Sequence, residues 1–327
     1  MPVFNHYCYE PLSFPESVRL ILLDPAPTQS AQLSCLIIQR RRRTTTAGYS
    51  AVSYTWGKRE LTCTLEVRCG SDTSYLRVSA NLDALLRAFR ARDVPVCLWI
   101  DAICINQHDE MEKAQQIPLM GRIYSEADQV RIWLGAADST IAGIFAFFRK
   151  ASQRPIVAQT QPEVARDVVF LMKKTIVDDG ISGLSLLFEF FDRPWFSRRW
   201  VIQEAGLSRK AVVHCGSYSI PLQTMSTAAE RVQSLDLSWY QVNMVAKLPT
   251  LKANMDILEL LWYYHAACCV DPRDRVAALF GLVPDIASQL RYNVHWSELY
   301  RQLAAFVLEF GCNNARLQLM LHLFEFG

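Results

Sequence analysis

The stretch VPVCLWID, residues 94–101, carries no charged residue before its final aspartate. An uninterrupted apolar run of this length, bounded by polar segments, predicts a strand covered on both faces, as in a parallel sheet. A helical pattern follows over about 109–126, and then a second buried strand, QVRIWLG, at 129–135. Upstream, VRLILL (18–23), LSCLIIQ (33–39) and YSAVSYTWG (49–57) read as strands, and LEVRCG with YLRVS (65–70 and 75–79) as a hairpin. Asn81 is expected to cap the helix LDALLRAFRA. Strands alternating with helices imply an α/β fold with a parallel-sheet core over about 15–150.

The second half reads as mostly helical, with candidates at 139–152, 162–178, 182–192, 197–206, 222–235, 251–268, 272–283 and 296–311. An appended hairpin, AVVHCGSYSIPL at 211–222, interrupts them, and 151–163 reads as a flexible connection. The helical half, about 160–327, is expected to pack on the sheet, so that 1–327 forms a single domain.

Composition narrows the function classes. About half of the 327 residues are hydrophobic, as in a globular protein, and the formal net charge is +2. That charge argues for neither a nucleic-acid nor a membrane-surface partner. The basic run Arg40 to Arg43 reads as a solvated loop, or as a nuclear-import or lipid-headgroup patch. No window approaches the roughly eighteen apolar residues that span a bilayer, and the proline-broken N-terminus has no signal-peptide core. A soluble, cytoplasmic protein is expected. Its ten cysteines include no CxxC pair and no zinc-like Cys/His spacing, so reduced thiols, no metal and no cofactor are expected.

Polar groups crowd the join between the strand at 94–101 and the helix that follows. Asp101 stands at the strand end, where ligands of parallel sheets gather. Asn106, Gln107 and His108 fill the loop, and the helix N-terminus suits a polar or anionic small molecule. Asp109, Glu112 and Gln116 fall within roughly 60° on the helix. They either face a cleft or form a capping network, and the residues leave both readings open. RPWFSRRWVIQEA (193–205) places Arg198, Arg199, Trp200, Gln203 and Glu204 on a helix that Ser197 would cap. It suits a ring-stacking polar site or a buried ion pair with a Trp wedge. In VDPRDR (270–275), Asp271 would cap a helix starting at Pro272, with Arg273, Asp274 and Arg275 as an ion-pair network. There is no GxSxG motif and no Gly-rich phosphate loop.

YSAVSYTWG, LWIDAICINQHDEMEKAQQIPLMGRIYSEADQVRIWLG and RRWVIQEA resemble, in order, the signature blocks of the fungal heterokaryon incompatibility (HET) domain. The resemblance implies a fungal origin, an α/β core similar to Toll/interleukin-receptor domains, and a link to self/non-self recognition and programmed cell death. Relatives of the Toll/interleukin-receptor type cleave NAD with a glutamate. Carried over by position, Asp101, Asp109, Glu112 and Glu204 are the catalytic candidates, with Glu112 or Glu204 as the NAD-cleaving glutamate. Tyr54, Trp56, Gly57, Asn106, Gln107, Gln116, Trp200 and Gln203 are the substrate-binding candidates.

Three functions are therefore expected to compete. The first is a cell-death effector that hydrolyses NAD or a related nucleotide. The second is a stand-alone secondary-metabolism enzyme performing cofactor-free cyclisation or Diels–Alder cycloaddition on a terpenoid or polyketide. It draws on the short chain and on eight Trp, twelve Tyr and sixteen Phe. The third is a non-catalytic interaction module. Each is compatible with a homo-oligomer.

Overall fold

The computed structural model describes residues 5–41, 48–57, 60–70, 72–154, 160–177, 180–237, 239–252 and 255–311. Among these residues nine strands form one mixed sheet: β1 Ser17–Leu23, β2 Ser34–Arg41, β3 Ser50–Tyr54, β4 Cys63–Cys69, β5 Asp72–Val78, β6 Val96–Trp99, β7 Gln129–Trp133, β8 Ala211–Cys215 and β9 Tyr218–Pro221. Their order is β5-β4-β2-β1-β6-β3-β7-β8-β9. The centre, β6-β3-β7-β8, is parallel, as the doubly buried runs predict. β1 pairs antiparallel with both β2 and β6, which makes the sheet mixed. Neither hairpin is an appendage: β4–β5 forms one edge of the sheet and β8–β9 the other.

Helices α1 (Ala80–Phe89), α2 (Asp101–Cys104), α3 (Glu110–Gln116), α4 (Met120–Glu126) and α5 (Ile141–Ser152) connect or follow the strands. Then come α6 (Gln161–Thr175), α7 (Gly180–Phe191), α8 (Val201–Gly206), α9 (Leu222–Val232), α10 (Tyr240–Lys247) and α11 (Ile257–Tyr263). Short α12 (Asp274–Ala277) and α13 (Pro284–Ala287) lead to α14 (Trp296–Gly311). Buried aromatic rings of α5, α7 and the 194–197 turn, Phe145, Phe148, Phe190, Phe191 and Phe196, pack edge-on or tilted at ring separations of 5.1–6.3 Å. Such contacts add modestly to the apolar burial they accompany.

Several local expectations change. Ser79, not Asn81, caps α1, by accepting from the Leu82 amide at 3.3 Å. Asn81 instead donates to the Thr55 carbonyl at 2.6 Å and accepts from Trp133 Nε1 at 3.0 Å, tying α1 to two strands. The helix expected over 109–126 is two α-helices joined by a 3₁₀ turn at Ile117–Leu119, where Pro118 removes a backbone donor. Ser197 belongs to a 3₁₀ turn, Pro194–Ser197, and α8 begins only at Val201. The helix expected over 251–268 is confined to α11, that over 272–283 to α12 and a 3₁₀ turn at Phe280–Leu282, and α10 was not expected. Part of the basic run, Arg42 and Arg43, and part of the 151–163 connection, 155–159, lie outside the described residues.

Candidate functional site

The carboxyl ends of the parallel strands β3 and β6 open onto a cleft of about 1210 Å³. Thr55, Trp56 and Gly57 leave β3 into it, and Gly57 adopts the left-handed φ of +73° that turns the chain away. Asp101 leaves β6 into it. Trp56 Nε1 donates to Asp101 Oδ2 at 2.9 Å, and the Ala102 amide donates to Oδ1 at 2.7 Å. Burial raises the Asp101 carboxyl above its usual range, and the Arg198 cation opposes that shift. Gln107 Nε2 donates to the Asp101 carbonyl at 2.9 Å, so the loop after α2 folds back against the strand end.

The polar stripe of α3 faces elsewhere. Glu112 is 7% exposed and forms a two-pronged ion pair with Arg19 of β1, which is 1% exposed. Its oxygens accept from Arg19 Nη1 at 2.5 Å and Nη2 at 2.9 Å, and Oε1 also accepts from the Asn106 amide at 2.7 Å. Gln116 Nε2 donates to the Ser17 carbonyl at 3.0 Å. Because β1 runs antiparallel to β6, its first residues lie beside the end of β6, where α3 meets them. Asp109 caps α3 by accepting from the Met111 and Glu112 amides at 2.9 and 3.0 Å, and Asn106 Oδ1 accepts from the His108 amide at 3.2 Å. Lys113, Ile117 and Met120, at helical spacing, are the residues this segment turns to the cleft.

Arg198 and Trp200 line the cleft, whereas Gln203 and Glu204 are buried behind it. Glu204 Oε2 accepts from Ser53 Oγ at 2.5 Å and lies 3.6 Å from Arg198 Nη1. Trp195 Nε1 donates to the same Ser53 Oγ at 2.8 Å. Burial pushes the Glu204 carboxyl up to about 7, with Arg198 opposing the shift and Asp101 adding to it. Gln203 Oε1 accepts from the Gly281 amide at 3.0 Å. Tyr54 is buried, and its carbonyl accepts from Arg198 Nη1 at 2.5 Å. The structure thus gathers Trp56, Gly57, Asp101, Gln107 and Trp200 around one cavity and sets Tyr54, Asn106, Asp109, Glu112, Gln116, Gln203 and Glu204 outside its wall.

The opposite wall comes from 268–274 and 292–296. Asp274 Oδ2 accepts from Trp200 Nε1 at 2.9 Å and Oδ1 from the Tyr292 hydroxyl at 3.0 Å. Burial raises its carboxyl above the usual range. Arg273 pairs with Asp271 at 2.6 Å and stacks over the Tyr292 ring at 4.6 Å. Among the described residues Arg273 thus pairs with the capping Asp271 rather than within the expected network of Arg273, Asp274 and Arg275, and Asp274 serves Trp200 and Tyr292 instead. Asp271 Oδ1 also accepts from the Arg273 amide at 2.9 Å, so it caps the turn that leads into α12. Sequence reading puts Arg198 in the cluster with Trp200, Gln203 and Glu204 without assigning it to the site, and it misses this second wall. Arg198 had a visible signal, a cation two residues before Trp200 and six before Glu204 in one motif, but its direction is a tertiary property. Among the described residues no cluster of His, Cys, Asp and Glu is arranged to hold a metal, and no helix is long and apolar enough to cross a membrane.

The family model for the heterokaryon incompatibility protein (HET) matches residues 49–204. The chain is also 32% identical over 237 residues to heterokaryon incompatibility protein 6, OR allele, of Neurospora crassa. That match covers 64% of this chain and 35% of the relative, so the chain spans about a third of that protein's length. No solved structure matches the chain. The matched residues carry Trp56, Asp101, Gln107, Arg198 and Trp200, the first wall of the cleft, and over them this chain carries a heterokaryon incompatibility (HET) domain.

Proposed function

We propose that this protein acts in fungal heterokaryon incompatibility by binding an NAD-like nucleotide in the β3–β6 cleft and cleaving its N-glycosidic bond. The HET domain supports the biological role, as does the name of the Neurospora crassa relative. One observation carries the chemistry: the Asp101 carboxylate stands at a strand end in a large cleft, between an indole and a guanidinium. The cleft is as roomy as the largest small-molecule sites, which suits a dinucleotide. Trp56, Trp200 and Trp296 offer flat apolar faces to a base.

In this reading Asp101 accepts a hydrogen bond from the ribose or stabilises the oxocarbenium-like centre, as carboxylates do in glycoside hydrolysis. Nicotinamide departs with the bonding electron pair and becomes neutral, so no general acid is needed. Water forms the new bond to the anomeric carbon, and its proton passes to Asp101 or to solvent. Glu204 acts through Arg198 rather than on the substrate, since it lies behind the wall. An α/β core related to Toll/interleukin-receptor domains, in a single folded unit, would accommodate this chemistry.

Purified protein, shown to be folded and assembled, should release nicotinamide from NAD, measured by chromatography. Asp101→Asn should lower the rate by roughly a hundredfold or more with the fold intact. No release from folded, assembled protein removes the proposal. The apolar part of the lining, including Ile105, Ile117 and Val294, favours a second reading, cofactor-free cyclisation of a hydrophobic substrate. It predicts that NAD is neither bound nor cleaved, while polycyclic terpenoids quench the fluorescence of the cleft tryptophans. A purely structural interaction module predicts instead that Asp101→Ala unfolds the chain.

A further inference from the structure

Two adjacent arginines leave the same turn in different directions. Arg199 is buried without a carboxylate: Nε donates to the Arg275 carbonyl at 2.8 Å and Nη1 to the Tyr264 carbonyl at 2.5 Å. Burial lowers its pKa to about 10, and its role is to hold two later segments together. Arg198 turns into the cleft wall. Its backbone is pinned by a bridge to Cys268, in which the Cys268 amide donates to the Ser197 carbonyl and the Arg199 amide to the Cys268 carbonyl. Its Nη1 is taken by the Tyr54 carbonyl and faces Glu204. Among the described residues its Nε and Nη2 meet no hydrogen-bond acceptor. A guanidinium edge with two parallel N–H groups matches two oxygens of a phosphate.

We propose that Arg198 is the anion anchor of the cleft, taking two oxygens of a nucleotide phosphate on its Nε–Nη2 edge, while Glu204 behind it sets how much of its charge the ligand feels. The choice of a nucleotide rests on the reading above; the anchor rests on the guanidinium. Glu204 is 1% exposed and touches the cleft only through Arg198. The ionisable groups around it are Arg198, Asp101 at the end of β6, Tyr54 of β3 and Tyr124 of α4. Its neutral neighbours are Ser53 and, beyond that, Trp195. Protonated, Glu204 leaves the Arg198 cation uncompensated and the anchor strong. Ionised, it neutralises Arg198 from behind and weakens the anchor. Since burial brings Glu204 to about 7, anion affinity falls as pH rises through neutrality, and binding near pH 7 takes up a proton.

The probes are adenosine and the methyl diester of adenosine 5′-monophosphate, whose single charge does not titrate in this range. Their affinities are compared by calorimetry at pH 6 and 8 for the wild type, Arg198→Ala, Arg198→Lys and Glu204→Gln, each shown folded by circular dichroism and melting. At pH 6 the wild type should prefer the diester by about tenfold or more. Arg198→Ala should bring the ratio to about one, and Arg198→Lys should keep only part of it. The wild-type ratio should fall several-fold at pH 8 and stay flat in Glu204→Gln, which assigns the slope to Glu204. A wild type with no preference, or folded Arg198→Ala with an unchanged ratio, overturns the proposal. If Arg198→Ala does not fold, the pH comparison decides: equal slopes in the wild type and Glu204→Gln overturn it. Nicotinamide release judges the NAD chemistry separately. No release with an Arg198-dependent ratio removes that chemistry and keeps the anchor, and release with an unchanged ratio in Arg198→Ala does the reverse.

Discussion

Replacing Glu112 by alanine tests whether the polar stripe of α3 clamps the fold or performs chemistry. The change removes three hydrogen bonds at once, two from Arg19 and one from the Asn106 amide. It strands Arg19, which keeps only the Cys104 and Glu10 carbonyls, at 3.2 and 2.6 Å, and the ring of Tyr9 at 4.9 Å. A buried cation that loses its counter-ion costs about 3–5 kcal/mol, far more than an exposed pair would. For a chain of this size that is a melting-temperature drop of roughly 4–7 °C by scanning calorimetry. Glu112→Gln keeps the shape and an acceptor, so its loss should be smaller. Arg19→Met combined with Glu112→Leu should recover part of the deficit, because no unpaired charge remains. Activity should fall in proportion to folded protein, with a further loss from the loosened 106–109 turn that carries Gln107 to Asp101. If Glu112→Ala melts with the wild type yet loses all turnover, the clamp reading is wrong and Glu112 belongs to the chemistry.

Half-buried His214 and buried Glu204 predict opposite pH slopes in stability. Burial and the neighbouring Arg131 lower His214 from 6.5 to about 4, so its contribution is complete above pH 6.5 and is lost as pH falls toward 4, on the order of 3 kcal/mol. Urea unfolding of His214→Gln should show that loss flattened. Glu204, raised from 4.5 to about 7, contributes fully below pH 4.5 and loses the contribution as pH rises through 7, so Glu204→Gln should be favoured over the wild type more at pH 8 than at pH 5 in the same assay. Asn81→Ala should cost about 2 kcal/mol, since it leaves Thr55 and Trp133 without partners, and Ser79→Ala about 1 kcal/mol as a lost cap; equal costs would contradict this division of roles. Gly281→Ala places a methyl 2.7 Å from the Gly121 Cα and should destabilise by about 3 kcal/mol or more by calorimetry.

What the sequence made legible was local, and what it hid was which distant residue each polar group would meet. The β6 strand was readable as an uninterrupted apolar run, and β7 also by the alternation of Gln129 and Arg131 with buried Val130 and Ile132. A helical wheel finds the stripe Asp109, Glu112 and Gln116 but cannot tell that it faces β1 rather than the cleft. A signal was present all the same: Arg19 is the lone charge in SVRLILL, and a charge in a buried strand requires a partner. Asn81 misled for the same reason, since its amide serves Thr55 and Trp133, 26 and 52 residues away, better than it serves its own helix. The cleft is the largest case. Its first wall, with Asp101 and Arg198, lies inside the family segment 49–204, and its second wall, from Cys268 to Trp296, lies outside it. The two are locked together at one place, where Cys268 bridges Ser197 and Arg199, and again where Asp274 accepts from Trp200. A family can therefore keep Asp101 and Arg198 constant while changing Asp271, Arg273, Tyr292 or Trp296. Ligand choice in such a cleft would then rest on residues outside the segment that matches the family model, and exchanging this second wall between relatives should change which ligand binds without moving Asp101.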